Sequence, residues 1–277
     1  MVMFIDLHTH TTFSDGTFTP EALVQYAKEI SLQAVAITDH DSVAGNLRGV
    51  REGALIGCEV IPGVELSATS HGTLHLLGLF LDSHNVHLRK ATEFLQANRR
   101  DRNLKILSLL RDQGIIIDET PFLENAYLGR PHIAQLLMNQ GIVPTIDDAF
   151  QQFLRRSGPA YVDRVKLSPE KTLEAIKQAG GICVLAHPVT LPDPEAVIDQ
   201  LLPLGLRGIE AYYPSHSPAQ TQHFLDLAEE HGLLVTGGSD FHGDHKPSID
   251  LGCMHVPSSL LAPLKEARKT RPSTEKK

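Results

Sequence analysis

The chain has 277 residues, of which 42% are hydrophobic and 21% are charged, a composition typical of a globular protein with room for one barrel-sized domain. Its net charge of −8 gives no general basic surface for nucleic acid. The three cysteines, Cys58, Cys183 and Cys253, contain no C-x-x-C pair, which argues against a disulfide framework and a thiolate zinc site.

Short apolar runs alternate with helical patterns along most of the chain. Several runs are apolar throughout, as in strands buried on both faces of a parallel sheet. The predicted strands are Met3–Leu7, Ala34–Thr38, Glu59–Pro62, Leu74–Phe80, Ile182–Ala186, Gly208–Ala211, Leu233–Thr236 and Cys253–Val256. Thr19, Ser168 and Ser217 each precede a proline and mark helix starts. The alternation predicts an α/β barrel formed by residues 1–83 and 167–264.

The alternation is interrupted over residues 84–166, where the pattern is mostly helical. This stretch carries 12 Lys and Arg residues against 9 Asp and Glu residues, so it is basic on an otherwise acidic chain. We therefore expect a helical insert. Residues 265–277 are polar and basic without apolar periodicity, and they predict a disordered tail.

Histidines and carboxylates follow or lie within nearly every predicted strand. In chain order they are His8, His10, Asp15, His40, Glu65, His75, His187, Glu210, Asp240 and His242. His8 and His10 are two positions apart on an extended segment, so their side chains point to the same side. Active sites of parallel barrels are built at the carboxyl ends of the strands, so we expect these residues to meet there.

The chain shows neither a leader-like segment nor an apolar run of membrane-spanning length. We therefore expect a cytoplasmic protein with no membrane partner.

The 15 histidines are many for this length, and histidine is the commonest metal ligand.

Six motifs in order, DLHTHTTFSDG, ITDHDS, PGVELS, HLLG, AHP and GSDFHG, resemble those of the PHP (polymerase and histidinol phosphatase) family of metal-dependent phosphoesterases. They extend from Asp6 to Gly243. GRPHIA at 129–134, the arginine-rich insert and EAYYPSHSP at 210–218 are most similar to one branch. That branch contains 3′,5′-nucleoside bisphosphate phosphatases and RNase AM 5′–3′ exoribonucleases.

The resemblance implies a distorted seven-stranded (β/α)7 TIM-like barrel that binds up to three divalent ions. When the family's ligands are carried over by position, His8, His10, Glu65 and Asp240 would hold the first ion. Glu65 would bridge to a second ion held with His75 and His187, and Asp15, His40 and His242 would hold the third. The imidazole and carboxylate ligands suit Mn²⁺, Fe²⁺ or Zn²⁺. The resemblance favours Mn²⁺, with Mg²⁺ as a further alternative.

The chemistry implied is attack on phosphorus by a hydroxide that bridges two ions, with Glu65 and Asp240 as the catalytic ligands. Arginine binds phosphate with two parallel hydrogen bonds, so Arg130 is a candidate for holding a second phosphate. His132 and His216 are further candidates on the substrate side. Arg99, Arg100 and Arg102 are weaker candidates for binding substrate, because they share one predicted helix and cannot all face the same way.

The expected reaction is removal of the 3′-phosphate from a small nucleotide such as adenosine 3′,5′-bisphosphate. A related alternative is 5′–3′ degradation of short, 5′-phosphorylated single-stranded RNA, by the same protein or instead of the first reaction. Histidinol phosphate hydrolysis is a third alternative, which the GRPHIA insert disfavours. A metal-bound module without catalysis belongs to another class, and the complete ligand set argues against it.

Overall fold

The computed structural model describes residues 3–70, 73–125 and 127–269. The chain divides into two compact units, one formed by Met1–Thr92 with Leu167–Lys277 and the other by Glu93–Lys166. The first unit contains all the described strands, and the second is helical.

One eight-stranded sheet forms the first unit, with the spatial order β7-β6-β5-β4-β3-β2-β1-β8. Its strands are β1 (Phe4–Asp6), β2 (Ala34–Ile37), β3 (Glu59–Ala68), β4 (Leu74–Leu79), β5 (Ile182–Leu185), β6 (Gly208–Tyr212), β7 (Leu234–Gly237) and β8 (Val256–Pro257). The β1–β2–β3 and β5–β6–β7 runs are parallel, whereas β4 is antiparallel to both of its neighbours and β8 is antiparallel to β1.

The sheet closes almost completely into a barrel. The Leu7 amide donates to the Gly237 carbonyl at 3.1 Å, and Thr9 forms a parallel bridge with Phe241. These bonds join the carboxyl ends of β1 and β7. The predicted barrel is confirmed, with eight strands where the resemblance implied seven, because the two-residue strand β8 pairs beside β1.

The antiparallel strand β4 differs from the all-parallel arrangement that the sequence predicts. A strand that runs backwards brings its amino end to the edge where its neighbours have their carboxyl ends. His75 near the start of β4 therefore pairs with Ser67 near the end of β3. Strand β3 also continues through Pro62 to Ala68, past the predicted end.

The described residues also form ten α-helices. They are α1 (Pro20–Glu29), α2 (Asn46–Ile56), α3 (Val86–Arg111), α4 (Thr120–Glu124), α5 (Arg130–Asn139), α6 (Ile146–Ala149), α7 (Pro169–Gln178), α8 (Pro194–Leu201), α9 (Pro218–His231) and α10 (Leu261–Lys269). The predicted starts of α1, α7 and α9 are confirmed, because Thr19, Ser168 and Ser217 accept amide hydrogen bonds as N-caps.

The prediction of a disordered tail from residue 265 is wrong for residues 265–269, which belong to α10. The apolar positions Leu261 and Leu264 lie before the predicted boundary, and together with Ala267 they place a continuous face in the barrel core. Residues 270–277 of the predicted tail lie outside the described residues.

Side chains of the barrel strands alternate between two apolar clusters. Ile5, Ala36 and Leu77 belong to the cluster that α10 joins, whereas Val35 and Ile37 pack with residues of α1. The second unit has its own core, which includes Leu107, Phe122 and Leu137 among other residues. No helix in the described parts of the chain combines the length and apolarity needed to cross a membrane.

Candidate metal centre

The segment that follows β1 places His8 and His10 inside the first unit, where both side chains are fully buried. Hydrogen bonds to the chain after β7 fix this segment. The His10 amide donates to the Phe241 carbonyl at 2.9 Å, and the Asp240 amide donates to the His8 carbonyl at 2.8 Å. These bonds join the first sequence motif, which contains His8 and His10, to the last, which contains Asp240.

Glu65 on β3 lies at the centre of the imidazoles. Its Oε1 atom is 2.7 Å from His75 Nδ1 and 2.9 Å from His187 Nε2. Its Oε2 atom is 2.7 Å from His40 Nδ1, 3.3 Å from His10 Nε2 and 3.4 Å from His8 Nε2. The carboxylate therefore presents a different oxygen to each of two groups of histidines.

A second group surrounds Asp15. Its Oδ1 atom is 3.3 Å from His242 Nε2 and 3.9 Å from His10 Nδ1, and its Oδ2 atom is 3.9 Å from His40 Nε2. His10, Asp15, His40 and His242 each offer one atom within 4.8 Å of the others. The same holds for His8, His10 and Glu65, and for His40, Glu65 and His75.

Asp240 connects the two groups through its Oδ1 atom. This atom is 3.1 Å from His10 Nε2, 3.5 Å from His242 Nδ1 and 3.6 Å from His8 Nε2. Asp240 and His187 have φ angles of 54° and 29°, in a region that residues other than glycine rarely adopt. Such backbone conformations persist where the surrounding structure imposes them, and here both turn a side chain toward the cluster.

The electrostatic environment of His10, His75 and Glu65 favours the forms of these three residues that bind cations. Burial, followed by the neighbouring His242 and His40, lowers the pKa of His10 to about 3, and burial lowers the pKa of His75 to about 4. Burial alone would raise the pKa of Glu65, but the surrounding histidines outweigh it and hold the pKa well below its usual range. Neutral imidazoles and an ionised carboxylate are the forms that bind a metal.

His8 lies where positive charge is favoured. Burial alone would lower its pKa, but the carboxylates of Glu210, Glu65 and Asp240 raise the pKa well above its usual range. A cation bound among these carboxylates supplies that positive charge in place of a proton.

Five buried atoms of the cluster have no hydrogen-bond partner among the described residues, although they lie close together. They are His8 Nε2, His10 Nε2, Asp15 Oδ1, His40 Nδ1 and Glu65 Oε2. Buried polar atoms are normally satisfied, and divalent metal ions bind both kinds of atom found here, the imidazole nitrogen and the carboxylate oxygen. The residues therefore fit divalent metal ions. Cys183 is buried within β5, where burial raises the pKa of its thiol, and it belongs to none of the three groups of possible ligands among the described residues.

Further carboxylates hold the cluster from outside. Glu210 on β6 approaches His8 Nδ1 at 2.9 Å and accepts a hydrogen bond from the His187 amide at 2.7 Å. Asp39 accepts from the Ser14 hydroxyl at 2.6 Å, and the Ser14 oxygen lies 3.4 Å from His10 Nδ1. Histidines that bind metals are commonly oriented in this way by a partner on the second ring nitrogen.

The arginines predicted to bind substrate lie in the second unit. Arg130 begins α5, donates to the Leu154 carbonyl at 3.0 Å and stacks over the Phe150 ring. Burial, followed by the positive charges of Arg130 and Arg164, lowers the pKa of Arg102 to about 10. Arg99 also contributes to this shift. The unit therefore brings together at least four guanidinium groups, which a bound anion would stabilise.

Three other candidates have different surroundings. Arg100 on α3 is partly buried, and its Nε atom has no hydrogen-bond partner among the described residues. His132 Nδ1 accepts from the Gly129 amide at 3.1 Å and so helps to cap α5. His216 lies in the first unit, where its Nδ1 atom donates to the Ala211 carbonyl at 2.8 Å. Its buried Nε2 atom is therefore an unprotonated acceptor, and it has no partner in the described chain.

Two residues of the site escaped the sequence analysis. Tyr213 Oη donates to Asp240 Oδ2 at 3.0 Å, and Lys246 Nζ lies 2.6 Å from the same oxygen. Tyr213 is part of the quoted EAYYPSHSP motif, but its role depends on an irregular strand end. Lys246 lies in a loop beyond the last motif, where no periodic pattern marks it.

A family model described as "PHP domain" matches residues 6–156. The chain is 30% identical over 281 residues to a protein of Chromobacterium violaceum named 3′,5′-nucleoside bisphosphate phosphatase, covering 97% of this chain and 99% of that one. It is 31% identical over 268 residues to the 5′-3′ exoribonuclease Rnm of Escherichia coli K12, covering 89% and 87%. A crystal structure from Bifidobacterium adolescentis, described as a metal-dependent phosphoesterase, superposes with a TM-score of 0.87 at 32% identity and 96% coverage of both chains.

Proposed function

Because the chain belongs to the PHP domain family of metal-dependent phosphoesterases, we propose that it removes the 3′-phosphate from nucleoside 3′,5′-bisphosphates. The similarity to a bisphosphate phosphatase over nearly the whole of both chains supports this substrate class. The family agrees with the one that the six sequence motifs identify.

We assign the metal ligands as follows. His8, His10, Glu65 and Asp240 would hold one ion, and Glu65 would also contribute to a second ion together with His75 and His187. Asp15, His40 and His242 would hold the third. Glu65 suits a shared role because its Oε2 atom faces His8 and His10, whereas its Oε1 atom faces His75 and His187. Imidazole and carboxylate ligands without thiolate suit Mn²⁺, Fe²⁺ or Zn²⁺. Among these and Mg²⁺ we propose Mn²⁺, on the ground of the resemblance to the family.

When bound, divalent ions neutralise phosphate charge, lower the pKa of water and stabilise the leaving oxygen. The protein's own residues keep the ligands in place for this chemistry. Glu210 fixes the ring of His8 and the backbone of His187. Ser14 is engaged with Asp39 and is not required as a nucleophile. His216 Nε2 is an acceptor suited to a substrate hydroxyl or amino group.

The observation that carries the choice of a bisphosphate is the similarity, over nearly the whole of both chains, to a relative named 3′,5′-nucleoside bisphosphate phosphatase. Arg102 and Arg130 are buried enough for the pKa of each to be lowered, and Arg164 adds like charge to both. Like charges held this close together favour a bound anion. A phosphate group is an anion of this kind, and we propose Arg130 as the residue that binds the non-reacting phosphate.

A second candidate activity is stepwise degradation of short RNA from a 5′-phosphorylated end. The relative named 5′-3′ exoribonuclease, 31% identical over 89% of this chain, favours it. The same arginines would then bind the terminal phosphate, and one protein can have both activities. Short single-stranded RNA is accordingly a proposed partner alongside the small nucleotide.

The test is a phosphate-release assay with Mn²⁺-loaded protein on adenosine 3′,5′-bisphosphate, 3′-AMP and 5′-AMP, together with a 5′-phosphorylated oligoribonucleotide. We expect release from the bisphosphate with 5′-AMP as product, and little release from either monophosphate. Mononucleotides from the oligomer would establish the second activity. Faster hydrolysis of a monophosphate than of the bisphosphate would refute the proposed substrate class.

A further inference from the structure

The geometry points to Tyr213 and Lys246 as positioning residues that hold Asp240 through its Oδ2 atom and reserve its Oδ1 atom for a metal ion. This inference rests on the proposed function, because it requires Asp240 to be a metal ligand. It concerns how the ligand is held, and it can be tested without any substrate.

The two oxygens of Asp240 have different surroundings. The Oδ1 atom faces His10, His8 and His242 at 3.1 to 3.6 Å. The Oδ2 atom receives the Tyr213 hydroxyl at 3.0 Å and the Lys246 ammonium at 2.6 Å. A carboxylate oxygen has about two lone pairs, so two donors occupy Oδ2 fully. Asp240 can then bind an ion through Oδ1 alone.

The backbone of Asp240 is already fixed. Its amide donates to the His8 carbonyl at 2.8 Å, and its φ angle of 54° is imposed by the junction of β7 with the segment after β1. A side chain at Gly238 would come within 2.4 Å of His8 Cβ, so this junction is closely packed. Only the side-chain torsions of Asp240 remain variable, and Tyr213 and Lys246 restrict them.

Tyr213 reaches Asp240 because β6 is irregular at its end. Glu210 pairs with Thr236, and Tyr212 pairs with Gly237, so one residue of β6 has no counterpart on β7. This bulge changes the strict alternation of side chains. Glu210 faces His8, Tyr212 packs against the barrel core, and Tyr213 faces Asp240.

Lys246 approaches from the loop after β7, following the short turn Gly243–His245. Its amide donates to the Gly243 carbonyl at 3.0 Å, which fixes the start of the side chain. The side chain is 40% exposed, whereas that of Asp240 is 9% exposed. Lys246 therefore lies at the solvent side of a buried ligand.

Orientation and charge have opposite effects on metal binding. A lysine beside Asp240 repels an incoming cation, so its removal would tighten metal binding if charge alone mattered. If Lys246 acts by positioning, its removal weakens binding, because Asp240 can then rotate. The sign of the change in affinity separates the two roles. Tyr213 carries no charge, so the change in metal affinity on removing its hydroxyl measures the effect of orientation alone.

The experiment measures Mn²⁺ affinity and stoichiometry by calorimetric titration of metal-stripped wild type, Tyr213→Phe, Lys246→Met and Lys246→Arg. We expect Tyr213→Phe and Lys246→Met each to weaken the affected site about tenfold to a hundredfold, the effect typical of residues that orient a metal ligand. Lys246→Arg retains a donor and should restore most of the affinity. Melting temperatures of the metal-free proteins should stay close together.

Matched controls are available outside the site. Tyr26→Phe removes a tyrosine–aspartate hydrogen bond of 2.6 Å to Asp250, and Lys265→Met removes a lysine–carboxylate pair of 2.7 Å with Glu59. Neither should change Mn²⁺ affinity. Unchanged affinity in Tyr213→Phe, or tighter binding in Lys246→Met, would overturn the inference. A wild type that binds no divalent metal would instead refute the proposed function.

Discussion

Glu65 Oε2 lies 2.7 Å from His40 Nδ1, yet neither atom has a hydrogen-bond partner among the described residues. The other oxygen of Glu65 lies equally close to His75 Nδ1. A carboxylate that is 1% exposed, with imidazoles beside both of its oxygens, suits the proposed role of a ligand shared between two ions.

The first prediction follows from this arrangement. Glu65→Gln replaces a carboxylate by an amide, which bridges two cations poorly, while the side-chain volume is kept. We expect kcat to fall by about a hundredfold or more. Loss of a residue that only orients a metal ligand costs about tenfold to a hundredfold, and loss of a ligand should cost at least as much. Bound Mn²⁺ per chain, measured by elemental analysis, should also fall. Glu59→Gln, on the same strand but paired with Lys265, is the control and should behave as wild type.

The second prediction concerns His40 and His242, which lie about 200 residues apart in sequence and approach the two oxygens of Asp15. His40→Ala and His242→Ala should each lose one ion per chain and most activity, because both share that ion. His223→Ala changes a histidine that is 48% exposed on α9 and should retain all ions. Full metal occupancy in either of the first two variants would count against an ion shared by both.

The third prediction concerns substrate choice. Arg130→Ala removes a guanidinium from the arginine group of the second unit. A hydrogen bond to a charged group contributes about 1.5–3 kcal/mol, or roughly a tenfold to hundredfold change. The ratio of kcat/KM for a nucleoside 3′,5′-bisphosphate to that for the monophosphate should fall by this factor, while an aryl phosphate should be affected little.

Arg111→Ala provides the control for Arg130, since Arg111 lies in the same unit and pairs with Glu119 on the surface. An equal fall for all three substrates would show that Arg130 serves the reacting phosphate or the fold. If kcat/KM changes for none of the three substrates, the second phosphate is bound by other residues, and Arg99, Arg100 and His216 are the next candidates.

The fourth prediction concerns metal removal. Without cations, Asp15, Glu65 and Asp240 remain close together in a buried site, and their mutual repulsion is offset by protons on the histidines and, at Asp240, by Lys246. Ligand binding stabilises the folded state by about 2.7 kcal/mol when the free metal is about a hundred times its Kd. Stripping with a chelator should therefore lower the melting temperature by several degrees, and Mn²⁺ should restore it. An unchanged melting temperature would contradict a metal site built into the folded barrel.

The chemical character of the site is set by the local sequence. Period-two spacing places His8 and His10 on the same side, and strand ends carry the remaining ligand types, so the residues that meet around Glu65 could be named in advance. The proline-preceding caps of α1, α7 and α9 are also local, because an N-cap bonds an amide only three residues away. The family follows from the same short motifs.

The direction and irregularity of the strands depend on the tertiary structure, because they arise from pairing between distant segments. Nothing local marks β4 as antiparallel, yet only that direction brings His75 to Glu65. The bulge opposite β7 turns Tyr213 toward Asp240, and a loop beyond the last motif brings Lys246 to the same oxygen. The sequence by itself determined which groups can bind a metal. The closed barrel decided which oxygen each carboxylate presents, since that choice depends on neighbours far away in the chain.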